Sequence, residues 1–172
     1  MPLPTIATPT YELELPSTGK KIKYRPFLVK EEKLLVLALE TENTKDISTA
    51  IKTVLKNCIQ SRGVKVESLP TFDIEYLFLN IRGKSVGEEI EVNLIAPDDE
   101  ETSVPVTINI DDIKISKKKG HTNKIKLDTS LMMEMKYPSL DEFVKNNFDF
   151  DGDISMDQSF DLIASCIDKI YN

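Results

Sequence analysis

Apolar residues alternate with polar ones near the start of the chain. Tyr11, Leu13 and Leu15 follow this two-residue period, and Ile22 and Tyr24 resume it after a Pro-Ser-Thr-Gly segment. A period of two is typical of a strand with one buried face, and the segment between the two runs has turn chemistry. The pattern predicts an N-terminal β-hairpin.

Apolar residues then recur at intervals of three and four, which predicts helices. The first covers residues 30–39, where the apolar run Leu34–Leu39 predicts burial on most sides. The second begins at a capping residue, Asp46, and ends near Ile59. The third opens at Pro70-Thr71 and is ended by Gly83.

The period returns to two after residue 88. Alternation over residues 88–94 and 104–110 predicts a second hairpin, and one or two further strands are predicted around Ile125–Leu127 and Leu131–Met135. A lysine-rich loop with Gly120-His121 at its tip separates these two regions.

Two helices are predicted at the C-terminal end. Ser139 and Glu142 have the spacing of a capping box, which favours a short helix to about Asn147. Ser155 repeats that spacing with Gln158, and the apolar residues that follow predict a helix that continues to the last residue.

The order of these elements predicts an α+β fold in which antiparallel β-hairpins pack with about five helices. A chain of 172 residues suits a single compact domain or two small lobes. We divide it into an N-terminal hairpin and helical part (1–85), a β-rich part with the basic loop (86–136) and a C-terminal helical part (137–172), which together form one cooperative unit.

Composition places the chain among ordinary globular proteins, with 40% hydrophobic and 30% charged residues. The formal net charge of −7 excludes a generally basic nucleic-acid binder. The longest apolar run has six residues, far below the roughly 20 that span a bilayer, which predicts no membrane association. The N-terminus lacks a basic start and an apolar stretch, so we expect the protein to stay in a cytoplasm.

Acidic residues near the last helix suggest one metal site. Asp149, Asp151, Asp153 and Asp157 have the spacing of calcium ligands, but isoleucine occupies the position of the turn glycine and phenylalanine that of the bidentate glutamate. A solvated acidic linker is the alternative that we favour. Zinc is disfavoured because two distant cysteines and one histidine do not supply four ligands, and both thiols are predicted to be buried. We therefore predict no metal and no cofactor.

Catalytic and phosphate-binding motifs are not found. Gly19-Lys20 lacks the remaining residues of a phosphate-binding loop, and His121 lies in a lysine-rich loop without a predicted nucleophile beside it. Lys117, Lys118 and Lys119 could meet phosphate groups, but no aromatic residues alternate with them for base stacking. The sequence predicts a protein that is not an enzyme. Nucleic acid is a disfavoured partner, and the lysines form either a solvated loop or a protein-docking surface.

Three segments together resemble the T4-type bacteriophage baseplate hub family. They are Tyr24–Leu35, Leu69–Phe78 and Lys136–Leu140, and the similarity extends from about Pro4 to the C-terminus in the family's order. The family consists of small proteins needed to assemble the central hub of a contractile phage tail. The resemblance implies a phage protein made in the bacterial cytoplasm, with no catalytic residues to transfer and other hub or tail proteins as its partners.

The leading hypothesis is therefore a non-enzymatic protein that acts in assembly of the baseplate hub. Two roles stay open: a hub subunit that remains in the virion tail, or a chaperone that leaves. The partner-binding candidates are the three lysines of the basic loop and five further residues that could serve as buried anchors: Tyr24, Arg25, Phe27, Tyr76 and Phe78. Ordinary core and hairpin packing is the alternative for each of the five, and a small calcium- or nucleic-acid-binding module is the alternative function.

Overall fold

A computed structural model describes residues 7–116, 119–145 and 156–172 of the protein. This part of the chain contains five α-helices, two short 3-10 helices and seven strands in three small antiparallel sheets. The predicted α+β class is confirmed, since every strand pair joins two strands that are consecutive in the chain and no parallel pair occurs among the described residues.

The N-terminal hairpin pairs strand β1 (Tyr11–Glu14) with strand β2 (Lys21–Tyr24), as the alternation predicts. Three helices follow: α1 (Val29–Leu39), α2 (Thr44–Cys58) and α3 (Thr71–Val86). A 3-10 helix, Val66–Ser68, precedes α3.

The hydrophobic core lies between this hairpin, α2 and α3. Its fully buried members come from all three elements, because the hairpin presents alternate residues and each helix presents one stripe. The central contacts are made by Leu15, Ile22 and Tyr24 of the hairpin region, Val54, Leu55 and Cys58 of α2, and Ile74, Leu77 and Ile81 of α3.

Two backbone hydrogen bonds extend the sheet edge onto the end of α2. The Arg25 N–H donates to the Cys58 carbonyl at 3.0 Å, and the Gln60 N–H donates to the Lys23 carbonyl at 2.8 Å. These bonds hold the C-terminal end of β2 against the C-terminal end of α2.

The second hairpin pairs strand β3 (Glu89–Ala96) with strand β4 (Asp99–Asn109). A 3-10 helix, Ile110–Asp112, follows this hairpin and packs against α3. Its buried residue Ile110 contacts α3 at Gly83. We call β3 and β4 together the ribbon.

A three-stranded sheet of order β5-β6-β7 contains Lys124–Lys126, Met132–Met135 and Ile167–Tyr171. Helix α4 (Leu140–Lys145) and helix α5 (Met156–Ser165) lie between β6 and β7 in the chain. The capping box is confirmed: the Ser139 N–H donates to Glu142 Oε2 at 2.8 Å, and the Glu142 N–H donates to Ser139 Oγ at 3.3 Å.

The prediction that the last helix continues to the C-terminus is wrong. Helix α5 ends at Ser165, Cys166 forms the turn, and Ile167–Tyr171 form β7 against β6. Isoleucine and tyrosine fit either a helical stripe or a short strand, and pairing with the otherwise open edge of β6 favours the strand. Cys166 is consequently half-buried rather than a buried helical thiol.

Helix boundaries differ from prediction at two further places. Asn43, not Asp46, caps α2, since its side chain accepts from the Lys45 N–H at 2.9 Å. Gly83 lies inside α3, which ends at Val86. A Cβ at position 83 would lie 3.2 Å from Ile110 Cδ1, so the glycine permits the close approach of the ribbon base instead of ending the helix.

Helix α1 is not buried on most sides, contrary to expectation. It packs mainly on α2 and buries Ala38 and Glu31, while Val36, Leu37 and Leu39 are each about half exposed or more. A continuous apolar run marks residues that can be buried, but one neighbouring helix covers only one side of it.

Candidate interaction surface

The hairpin candidates Tyr24 and Phe27 lie against the core. Tyr24 is only 2% exposed and packs on the Tyr11 ring with 5.8 Å between ring centroids. Burial raises the pKa of the Tyr24 hydroxyl above its ordinary value. Phe27 is half-buried, and its backbone N–H donates to Ser85 Oγ at 3.0 Å. The structure thus places both rings where the packing alternative expects them.

Arg25 forms an ion pair inside the N-terminal part. Its Nη2 lies 3.1 Å from Oε1 of Glu31, whose side chain is 1% exposed, and its Nη1 donates to the Pro26 carbonyl at 2.8 Å. Oε2 of Glu31 accepts from the Leu28 N–H at 2.8 Å. Both ends of the pair therefore have partners within the chain, and the sequence analysis missed Glu31 because acidic residues early in a helix are usually exposed.

The candidates on α3 occupy its two sides. Phe78 is half-buried against the core. Tyr76 is half-buried and, with Glu14, Leu15, Pro16 and Ile115, lines an open cleft of about 390 Å³.

A second cleft of about 530 Å³ shares Pro16 and Ile115 with the first. Phe72 and Tyr137 meet edge to face on its wall with 4.8 Å between centroids, and the Tyr137 hydroxyl lies 2.9 Å from Nε2 of His121. Its remaining lining residues are Ser17 and Ser116.

Ser17 and His121 of this cleft are each hydrogen-bonded to a different partner. Ser17 donates from both its backbone N–H and its hydroxyl to the buried carboxylate of Asp73. The His121 ring contacts Tyr137 rather than a serine or cysteine. A serine activated by histidine would share a hydrogen bond with it, and that bond is not formed here.

The predicted ionic sites fall largely outside the described residues. Lys117 and Lys118 lie outside them, as do Asp149, Asp151 and Asp153. Lys119 is exposed in a turn, and Asp157 is exposed in the first turn of α5. Within the described ranges, no group of three metal-ligating side chains comes together.

The two cysteines differ in environment. Cys58 is fully buried, and burial raises the pKa of its thiol to about 11. Its predicted role as a small apolar core residue is confirmed by this position. Cys166 lies in the turn between α5 and β7 and is half-buried.

A feature that the sequence pattern did not reveal is a partly exposed apolar face on the ribbon. Cross-strand partners point to the same side of a sheet, so three directly opposed pairs share one face. Leu94 is 55% exposed and Val104 50% exposed near the turn, whereas Ile110 at the base is 3% exposed. We call this the ribbon face, and its members are Ile90, Val92, Leu94, Val104, Val106 and Ile108.

A smaller apolar stripe follows one side of α5. Met156, Phe160 and Ile163 have the spacing of one helix face and are 76%, 62% and 54% exposed. The period of the apolar residues after Ser155 predicts an apolar face on this helix.

None of the helices in the described ranges is long and apolar enough to cross a membrane. A family model described as T4 bacteriophage base plate protein matches residues 8–172. No curated protein and no solved structure matches the chain significantly.

Proposed function

Because the chain belongs to the T4 bacteriophage base plate protein family, we propose that it acts in assembly of the central hub of the baseplate by binding other hub proteins. Under this proposal it is a non-enzymatic protein, either a hub subunit that stays in the virion tail or a chaperone that leaves after assembly in the host cytoplasm.

The observation that carries the proposal is the ribbon face. Six β-branched or leucine side chains are aligned there, and those near the turn are at least half exposed. Clustered exposed apolar side chains commonly mark protein-interaction sites, because covering them removes apolar surface from water. Full burial of an exposed Leu or Val side chain is worth about 1.5–3 kcal/mol, so covering a half-exposed one on docking contributes about half of that before ordering costs are subtracted.

Four of the five anchor candidates contribute indirectly in this proposal. Tyr24, Arg25, Phe27 and Phe78 hold the hairpin, α1 and α3 together, and α3 in turn supports the ribbon through Gly83. Tyr76 is the exception, because it lines an open cleft that a partner side chain could enter.

Co-expression with the other proteins of the same baseplate tests the proposal. We expect the tagged chain to retain a hub protein and the variant Leu94→Asp to lose it. Ile95→Asp is a matched control, because Ile95 is 65% exposed on the same strand but faces the other side of the ribbon. Equal retention by both variants, or retention of no hub protein by the wild type, would count against the proposal.

The presence or absence of this chain in purified phage particles distinguishes the subunit role from the chaperone role. Mass spectrometry of purified phage particles should detect this chain in a fixed ratio to other baseplate proteins if it is a subunit. Its absence from particles, together with a tail-assembly defect when it is removed, would assign the chaperone role.

A further inference from the structure

Two exposed strand edges in this protein carry opposite charge. Strand β3 begins Glu-Ile-Glu, and strand β5 is Lys-Ile-Lys. The surrounding segments continue this division: residues 88–112 contain nine acidic and no basic residues, and residues 114–126 contain six lysines and no acidic residue.

Both strands have an edge that no other strand occupies within the described residues. The ribbon has only two strands, so β3 has one side paired with β4 and one side open. Strand β5 is the outer strand of the order β5-β6-β7 and is likewise paired on one side. Open edges expose unpaired N–H and C=O groups that can bind a further strand.

The backbone N–H and C=O groups of Glu89 and Glu91 point to the open side of β3. This follows from the alternation of the hydrogen bonds that β3 makes with β4. The Ile110 N–H donates to the Glu88 carbonyl at 2.8 Å, so residue 88 faces β4. Facing alternates along an antiparallel strand. Residue 90 therefore also faces β4, and the N–H and C=O groups of Glu89 and Glu91 point away from it.

Strand β5 likewise directs the backbone groups of its two lysines to its open edge. The Met135 N–H donates to the Asn123 carbonyl at 2.8 Å, and the Leu127 N–H donates to the Leu131 carbonyl at 2.9 Å, so residues 123 and 127 face β6. The backbone groups of the intervening Lys124 and Lys126 point to the open edge.

We propose that strand β3 of one copy pairs antiparallel with strand β5 of a second copy, with Glu91 opposite Lys124 and Glu89 opposite Lys126. In this register both Glu–Lys pairs are hydrogen-bonded pairs. Ile90 and Ile125 then form the close non-hydrogen-bonded pair between them. The backbone hydrogen-bonding pattern and the pairing of opposite charges therefore favour the same register.

The combined sheet has consistent faces across five strands. One row would contain Ile108, Ile90, Ile125, Met133 and Ile170, all of them apolar. The row next to it on the other face would continue from Glu91 through Lys124 and Glu134 to Lys169, with charges that alternate in sign. Opposite charges directly across a sheet are stabilising.

Two edges of the same kind would repel each other. The β3 edge of one copy is therefore expected to bind the β5 edge of the second copy. Two β3 edges would place glutamates opposite each other, and two β5 edges would do the same with lysines, and like charges directly opposite are destabilising. The contact is therefore between unlike surfaces, which generates closed rings where the rotation between copies closes and open chains where it does not. This inference concerns the edge of the ribbon and is independent of partner docking on its face.

Charge reversal tests the pairing with purified full-length protein. The acidic-edge variant is Glu89→Lys with Glu91→Lys, and the basic-edge variant is Lys124→Glu with Lys126→Glu. Sedimentation velocity over micromolar to millimolar concentration should show wild-type self-association that weakens with added salt, because these side chains are exposed. Each variant alone should associate about tenfold or more weakly, since two attractive pairs become repulsive.

An equimolar mixture of the two variants restores opposite charge and should recover association. Lys20→Glu with Lys33→Glu is the matched control, as both lysines are exposed outside these edges, and it should behave like the wild type. Circular dichroism verifies that each variant is folded. A wild type that stays monomeric, or a mixture that does not associate, overturns the proposal, as does association only in the presence of another baseplate protein.

Cross-linking tests the register without changing charge. In a Cys166→Ser background, copies with Ile90→Cys are mixed with copies carrying Ile125→Cys under oxidised glutathione. We expect a disulfide-linked dimer from this pair and at least a severalfold lower yield when Val92→Cys replaces Ile90→Cys. Equal yields would show random collision and refute the register.

Discussion

Replacement of Glu31 by glutamine tests the buried ion pair of the N-terminal part. The carboxylate is 1% exposed, accepts from the Leu28 N–H and lies 3.1 Å from the Arg25 guanidinium. Glu31→Gln keeps a neutral acceptor but removes the charge that balances Arg25. We expect a loss of about 2 kcal/mol in the free energy of unfolding, below the 3–5 kcal/mol of fully buried pairs because Arg25 is 13% exposed.

Urea unfolding followed by circular dichroism measures this loss. With a slope of about 2 kcal/mol per molar urea, the midpoint should fall by about 1 M. Glu32→Gln is the matched control, since Glu32 is exposed in the same helical turn and should change the free energy of unfolding by less than about 0.5 kcal/mol. The double variant Arg25→Met with Glu31→Leu should lose at least about 1 kcal/mol less than the sum of the single variants.

The same pair gives stability a defined pH dependence. Burial alone would raise the pKa of Glu31, but the Leu28 N–H and the Arg25 guanidinium outweigh it, and the pKa lies below the ordinary value of 4.5. The stabilisation is therefore complete above that value and is lost as the pH falls through the lowered folded-state pKa. The difference between wild type and Glu31→Gln should shrink on acidification. Equal urea midpoints for Glu31→Gln and Glu32→Gln at neutral pH would refute the reasoning.

Three further predictions concern the core and its attachments. Asp73→Ala should cost about 3 kcal/mol in urea unfolding because it removes a buried charged acceptor of two hydrogen bonds, and Ser17→Ala should cost only about 1 kcal/mol; equal costs would contradict this. Gly83→Ala should destabilise by about 1 kcal/mol despite the higher helix propensity of alanine, because the new methyl group meets a buried isoleucine; a rise in melting temperature would contradict it. Cys58 should react with a thiol reagent at pH 8 only after unfolding, whereas Cys166 should react in the folded protein, as mass spectrometry of the labelled peptides can show.

The hairpins, α2 and the α4 capping box could be predicted because each has a local signal. Alternation, a stripe at helical spacing and a Ser-x-x-Glu box all depend on residues close in the chain. The end of α3 and the C-terminal strand could not, because Gly83 is explained by Ile110 and β7 by the open edge of β6. Both partners are distant in sequence, and such tertiary contacts override local propensity.

The candidate interaction surface could likewise be predicted only in part from the sequence. The alternation over residues 88–110 predicts an apolar side for the ribbon, but a period does not reveal whether anything covers that side. Conversely, Tyr24 and Phe27 are apolar residues in a distinctive segment, and the sequence alone leaves both docking and packing open. Glu31 was missed because its burial depends on Arg25 and on the Leu28 N–H, which only the folded turn brings together.

The attachment of the ribbon has a mechanical consequence. Ile110 against Gly83 and the ion pairs of Lys84 with Glu88 and Asp111 hold the ribbon at its base. An eight-residue strand is about 26 Å long, so a rotation of about 10° at the base would displace the tip by about 5 Å. The contact between the Ile110 side chain and Gly83 is therefore the pivot about which the ribbon would rotate. A side-chain change at this contact is therefore expected to displace the tip of the ribbon, more than two helix diameters away, without altering any residue of the ribbon face.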